Sequence, residues 1–280
     1  MMIDARNIMY RAVHASRADH ERSQLNGVRK PMKHPFVIML RLIGGWVRDH
    51  RPGTVQIFWD APRATVWRHE LIEGYKKRDD DHHCNEGTVN DLALTEAAAA
   101  DIFRYLNVRQ FKKDRMEADD LIYAACRVQC TREIIVCSSD KDLLQLLYAV
   151  PKAKILNPDN GNFITETEHH PVWYKALVGD TSDKIPGYDG IGPARAAKIL
   201  GDPSKFVTLL EERGKETMVR NLRLIDLGMS PYVLQNQLYV GRALAAKVQY
   251  DKRKLAEMCA KHKINYHGVA ELLLPFRSLT

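Results

Sequence analysis

Acidic side chains close the apolar runs of this chain. Met1-Met2-Ile3 leads into Asp4, Val55-Gln56-Ile57-Phe58-Trp59 into Asp60, and Ile134-Ile135-Val136-Cys137-Ser138-Ser139 into Asp140. Others come in bursts: Glu117, Asp119 and Asp120 within four residues, Asp142 two after Asp140, and Asp180 with Asp183. Carboxylates this dense repel one another unless cations lie among them. Hard divalent ions with oxygen ligands, working on a phosphodiester, are the chemistry such a pattern serves. Acids in the first turn of a helix also cap free N–H groups and suit the macrodipole, so one or two need no metal. Three in four residues exceed that need. Asp140 and Asp142, one residue apart at a strand's end, can address neighbouring ions about 3.5–4 Å apart.

The segment Gly179-Asp180-Thr181-Ser182-Asp183-Lys184-Ile185-Pro186-Gly187 continues into Gly190-Ile191-Gly192-Pro193. Asp180 and Asp183 share one face of a helical turn. Gly187, Gly190 and Gly192 make a tight turn with Pro193 at a helix start, where backbone N–H groups can meet a phosphate. An ordinary helix–turn–helix corner would use the same glycines. Arg195 and Lys198, one turn on, favour a clamp on a nucleic-acid backbone that reads no sequence.

These acids must be held by strands and helices in alternation. Short β-rich runs read as buried strands at 54–59, 107–111 and 134–138. Helices are expected at 8–15, 35–47, 91–106, 117–128 and 142–147, with a charged, irregular stretch at 62–90. Such alternation predicts an α/β fold: a mostly parallel, twisted sheet covered by helices, whose strand ends point to one crevice. Beyond about residue 168 helical patterns dominate, at 172–177, 193–200, 204–212, 215–224 and 252–262. We therefore expect a core over residues 1–168 and a helical part over 169–280 packed on it.

The chain has 280 residues, with 42 Lys and Arg against 35 Asp and Glu, a formal charge of +7. The bases are spread while the acids cluster, which suits a polyanionic substrate handled at an acidic spot. Five cysteines without a C-x-x-C pair suggest a reducing compartment. The chain starts with no basic-then-apolar leader and has no run long enough to span a bilayer, so a cytoplasmic location is expected. Asp79-Asp80-Asp81-His82-His83-Cys84 lacks the spaced ligand pairs of a structural zinc site and reads as a solvated loop.

Together E-A-D-D at 117–120, S-S-D-K-D at 138–142 and G-D-T-S-D-K-I-P-G…G-I-G at 179–192 resemble the 5′-nuclease family. That family includes flap endonucleases, bacteriophage 5′→3′ exonucleases and the 5′-nuclease domain of bacterial DNA polymerase I. The resemblance covers roughly residues 1–200. It implies a PIN-like core with a helical arch at about 63–90, and a helix-hairpin or helix-three-turn-helix DNA-binding part around 187–198. It implies two divalent ions, Mg²⁺ or Mn²⁺, held by Asp4, Asp60, Glu117, Asp119, Asp120, Asp140, Asp142, Asp180 and Asp183, and a potassium ion in the 187–193 turn. Carried over likewise, Lys76 contacts the scissile phosphate, Arg68 and Arg78 hold nearby phosphates, and Tyr10 and Tyr75 are DNA-contacting aromatics.

Lys184 departs from the family's usual Asn, and Arg78 follows Lys76 by two residues where three is common. The implied substrate is branched, nicked or 5′-ended DNA, cut as an exonuclease or flap endonuclease by a monomer. The alternatives are a nuclease that removes primers from RNA/DNA hybrids, a PIN-type ribonuclease, and a non-catalytic DNA-binding protein.

Overall fold

A computed structural model describes residues 1–26, 32–76 and 86–279 of the chain. In chain order the strands are β1 (Met2–Asp4), β2 (Val55–Phe58), β3 (Val108–Phe111), β4 (Ile134–Cys137), β5 (Ala153–Leu156), β6 (Phe163–Ile164), β7 (Gly179–Asp180) and β8 (Ile185–Pro186). The helices are α1 (Ala5–Leu25), α2 (Pro35–His50), α3 (Glu86–Phe103), α4 (Ala118–Val128), α5 (Leu146–Ala149), α6 (Pro171–Val178), α7 (Pro193–Leu200), α8 (Pro203–Arg213), α9 (Glu216–Ile225), α10 (Val233–Leu244), α11 (Lys252–Lys261) and α12 (Tyr266–Leu273). The chain divides into two compact units and crosses between them repeatedly, rather than once near residue 168.

The first unit holds residues 1–59, the described residues from 86 to 111, and 242–279. Its strands run in parallel, β1 beside β2 with Asp4 opposite Phe58, and β2 beside β3 with Phe58 opposite Phe111. Parallel neighbours need crossovers, which α1 with α2, and then α3, supply. Phe58 stacks on Phe111 at 4.7 Å, and Phe36 meets Phe103 edge-on at 5.5 Å. Helix α1 begins at Ala5, three residues before the expected start, because the Asp4 carboxylate accepts the Asn7 N–H at 3.1 Å and caps it there. It continues ten residues past the expected end at Ala15. The polar extension carries Arg17, Ala18, Glu21, Arg22, Gln24 and Leu25, good helix formers that need little burial.

The second unit holds the described residues of 60–76 and residues 112–241. There β4 and β5 are parallel, with Ile134 opposite Ala153, and β6 adds antiparallel to β5. Strand β5 was not expected: Pro151, Lys152 and Lys154 dilute a run whose other members, Ala153, Ile155 and Leu156, are buried. The helix expected at 142–147 is a 3-10 turn over Lys141–Gln145 followed by the short α5. No helix among the described residues is long and apolar enough to cross a membrane.

Candidate metal centre

Helix α4 delivers the first acid group of the second unit. Glu117 is its N-cap and Asp120 closes a capping box, accepting the Glu117 N–H at 3.2 Å. Asp60 accepts the Ala118 N–H at 2.8 Å, so the turn after β2 is tied to the same helix end. Arg68, only 2% exposed, lies against these acids. Its Nη1 donates to Glu117 at 2.8 Å and to Asp120 at 2.9 Å, its Nη2 to Asp120 at 2.9 Å, and its Nε to the Leu224 carbonyl at 2.9 Å. Trp67 Nε1 adds a bond to Asp120 at 3.1 Å.

Two expectations change here. Arg68 faces no solvent and holds carboxylates instead of a substrate phosphate. Asp120 accepts from a guanidinium fork, an indole and a backbone amide, so it anchors Arg68 and leaves Glu117 and Asp119 as this group's candidate metal ligands. Burial opposes the Arg68 charge, but Asp120, Asp119 and Glu117 outweigh it and hold the proton more firmly than usual. Burial also pushes the Asp119 carboxyl well up, with Glu117 and Asp120 adding to it.

The second group is Asp142, Asp180 and Asp183. One carboxylate oxygen from each lies within 4.8 Å of the others, as also holds for Glu117, Asp119 and Asp120. Asp140 caps the 3-10 turn by accepting the Asp142 N–H at 2.8 Å, while buried Ser138 Oγ accepts the Asp140 N–H at 3.0 Å. Burial, and then Asp142, raise the Asp140 carboxyl above its ordinary range. Burial likewise pushes Asp183 up to about 6, against the pull of Lys76.

Tyr75 and Lys76 join the two groups. The Tyr75 hydroxyl lies 3.0 Å from Glu117 and 3.2 Å from Asp183, and Lys76 Nζ lies 2.6 Å from Glu117 and 3.6 Å from Asp183. Tyr75 is 2% exposed, so it braces carboxylates rather than presenting a ring to DNA. Lys76 is placed to serve either the acids or an arriving phosphate.

Lys175 is a residue the sequence reading missed. From α6 its ammonium reaches Asp142 at 2.5 Å and Asp180 at 2.6 Å. The available signal was a lone lysine in an otherwise apolar helix, five residues before Asp180. Both lysines line a cleft of about 870 Å³ with Asp140, Asp142, Asp180 and Asp183. Because its charge sits where a cation would, Lys175→Met should tighten Mn²⁺ binding to the protein alone by about tenfold. Calorimetry would show it; equal or weaker binding would mean the lysine does not compete.

Proton competition gives a second expectation. Asp183 keeps its proton up to about pH 6, above the usual carboxylate range, so divalent affinity should fall as pH drops through that value. The expected slope is about tenfold per pH unit below it, read by Mn²⁺ titration from pH 7.5 to pH 5.

The glycine turn follows β8. A Cβ on Gly187 would lie 2.4 Å from the Val178 carbonyl oxygen, so this glycine serves backbone packing instead of phosphate approach. Gly190, with φ +66, and Gly192 have open space where a side chain would go. Gly192 is the N-cap of α7, and Arg195 and Lys198 on that helix are exposed. Lys184 adopts φ 57, a left-handed conformation that Asn tolerates better than Lys. Lys184→Asn should therefore raise the melting temperature by about 2 °C, reflecting roughly 0.5–1 kcal/mol of relieved backbone strain.

Asp4 and Tyr10 belong to the first unit. Asp4 is buried as the cap of α1, and Tyr10 is half-buried on that helix, with the Arg6 guanidinium 5.4 Å from its ring centre. Arg78 and the stretch from Asp79 to Cys84 lie outside the described residues.

Residues 1–174 match the family described as 5′-3′ exonuclease, N-terminal resolvase-like domain. The chain belongs to the 5′-3′ exonuclease family. A 5′-3′ exonuclease of Mycoplasma pneumoniae is 28% identical over 214 residues, 71% of this chain and 70% of the relative. The flap endonuclease Xni of Shewanella amazonensis is 34% identical over 179 residues, 60% of this chain and 67% of the relative. A bacteriophage T5 flap endonuclease, solved as a pseudo-enzyme–product complex with DNA and metal ions, matches with a TM-score of 0.63. Its identity is 17% over 98% of each chain, a likeness that shows a shared fold. In this exonuclease-family chain the matched span includes every candidate acid from Asp4 to Asp142, while Asp180 and Asp183 lie beyond it.

Proposed function

We propose that this exonuclease-family protein is a structure-specific 5′ nuclease, hydrolysing DNA phosphodiesters near 5′ ends, flaps or nicks with divalent metal ions. The observation that carries this is the pair of acid groups in one unit, bridged by Tyr75 and Lys76. The residues fit hard cations: all donors are carboxylates, and Asp119, Asp140 and Asp183 are forced upward by burial and by one another. Glu117 and Asp119 would hold one Mg²⁺ or Mn²⁺, and Asp142, Asp180 and Asp183 a second, with Asp140 lining the same cleft as the second group and Asp60 at the N-terminal end of α4. When bound, such ions polarise a phosphodiester and acidify water. A potassium ion in the 187–193 turn completes the cofactor set carried over from the family resemblance.

The protein's own groups do the rest. Arg68 keeps Glu117 fixed, so that acid cannot swing away when a polyanion approaches. Lys76 exchanges Glu117 for the scissile phosphate and neutralises charge that develops there. Arg195 and Lys198 grip the duplex backbone, a contact carrying no sequence information and weakening steeply with salt. Cleavage should leave 5′-phosphate and 3′-hydroxyl ends.

The test is a duplex with a 5′ flap, labelled on the flap and at the 3′ end of the same strand. Flap release in Mg²⁺, none in EDTA and none from a matching 3′ flap is the expected result. Cleavage confined to an RNA/DNA hybrid would move the substrate to primers. Binding without cleavage of any of these would overturn the catalytic reading.

A further inference from the structure

In the first unit a depression of about 510 Å³ is lined by Arg104, Arg109, Lys247 and Lys254, with Asp251 as its acid. Asp251 is engaged as the N-cap of α11, accepting the Lys254 N–H at 3.0 Å. Arg104, Lys247 and Lys254 are exposed, and none has an ion pair among the described residues. These cations come from the end of α3, from β3, from the coil after α10 and from the first turn of α11, so the tertiary fold gathers them. Four cations around one carboxylate leave the concavity with a net positive charge, which attracts an anion. The Lys254 ammonium lies 5.2 Å from the centre of the Tyr105 ring and covers one of its faces.

We propose that this depression is a second nucleic-acid contact, binding phosphate groups of the DNA backbone away from the reacting bond. The inference rests on the nuclease reading for its DNA but stands on a different set of residues. The cations and the covered ring face favour a phosphodiester backbone over a free nucleotide, and the volume exceeds what one phosphate fills. The site adds affinity and salt dependence without adding sequence preference.

The test compares the full wild-type chain with an Arg104→Ala, Lys247→Ala, Lys254→Ala variant, whose three changes are all at exposed positions. Binding of a labelled 5′-flap duplex is followed by anisotropy in EDTA over a range of NaCl, and pyrophosphate binding by calorimetry. The variant should bind DNA about tenfold more weakly, with a log–log salt slope smaller by about two. Its cleavage rate at saturating DNA should equal that of wild type. Unchanged affinity and slope, while wild type still binds and cuts, would overturn this site and leave the nuclease reading intact. Loss of pyrophosphate binding with DNA binding untouched would also overturn it, reassigning the depression to small phosphates. Wild type that neither binds nor cuts would bring down the nuclease reading itself, and this site with it.

Discussion

Arg68→Ala should destabilise the protein by about 3–5 kcal/mol, the usual consequence of removing one partner from a buried ion-pair network. The guanidinium is 2% exposed and makes four hydrogen bonds, three of them to Glu117 and Asp120. Its loss takes the cation from Asp120, which is 3% exposed, and leaves Glu117 with Lys76 as its remaining cation. For a chain of this size the melting temperature should fall by roughly 5–9 °C. Arg68→Lys should recover little, because an ammonium cannot supply the planar fork that Asp120 receives. Added Mg²⁺ or Mn²⁺ should restore part of the loss in Arg68→Ala, since a cation beside Glu117 replaces some of the missing charge. Thermal melts with and without metal would decide it. An unchanged melting temperature combined with weaker substrate binding would instead return Arg68 to the phosphate-contacting role that the family resemblance implied.

Asp140→Ala should have the largest effect on catalysis, lowering cleavage of a 5′-flap duplex by about 10³-fold or more. The side chain lies at the carboxyl end of β4 with its charge resisted by burial and by Asp142, so the fold holds it there at a cost. Structurally it contributes one cap bond, to the Asp142 N–H at 2.8 Å, whose loss is worth about 1 kcal/mol. Removing a negative group also removes repulsion from DNA phosphates. Binding in EDTA should therefore hold steady or tighten while cutting disappears. A variant that cuts normally, or that loses binding and cutting together, would show that Asp140 is not part of the reacting centre.

Much of this centre is legible in the sequence because its parts are local. Asp140 and Asp142 follow a strand whose apolar run is plain, and α7 spans Pro193–Leu200 as its proline and periodicity announce. What the sequence conceals is long-range. Arg68 and Tyr75 belong to a stretch that reads as a basic, substrate-facing patch, yet their partners lie 42 to 156 residues further along. Only the fold shows that these groups turn inward. Lys175 is hidden for a related reason: one lysine in a short apolar helix has no pattern, and its meaning comes from Asp142, 33 residues earlier. Gly187 resembles its neighbours Gly190 and Gly192 in sequence, but it alone of the three packs against the backbone of residues 177–178. The expected division near residue 168 took the α/β stretch as the core and all of 169–280 as a helical part packed on it. The contacts instead place the C-terminal helices α11 and α12 with α3 and α2.

The central claim is that these carboxylates form a divalent-metal centre, and Mn²⁺ titration of the DNA-free protein at pH 7.5 tests it most directly. Calorimetry should show saturable binding of two ions per chain, falling to one when Asp142 and Asp180 are both replaced by Asn. No saturable Mn²⁺ binding into the millimolar range, or binding that the double variant leaves unchanged, would contradict it.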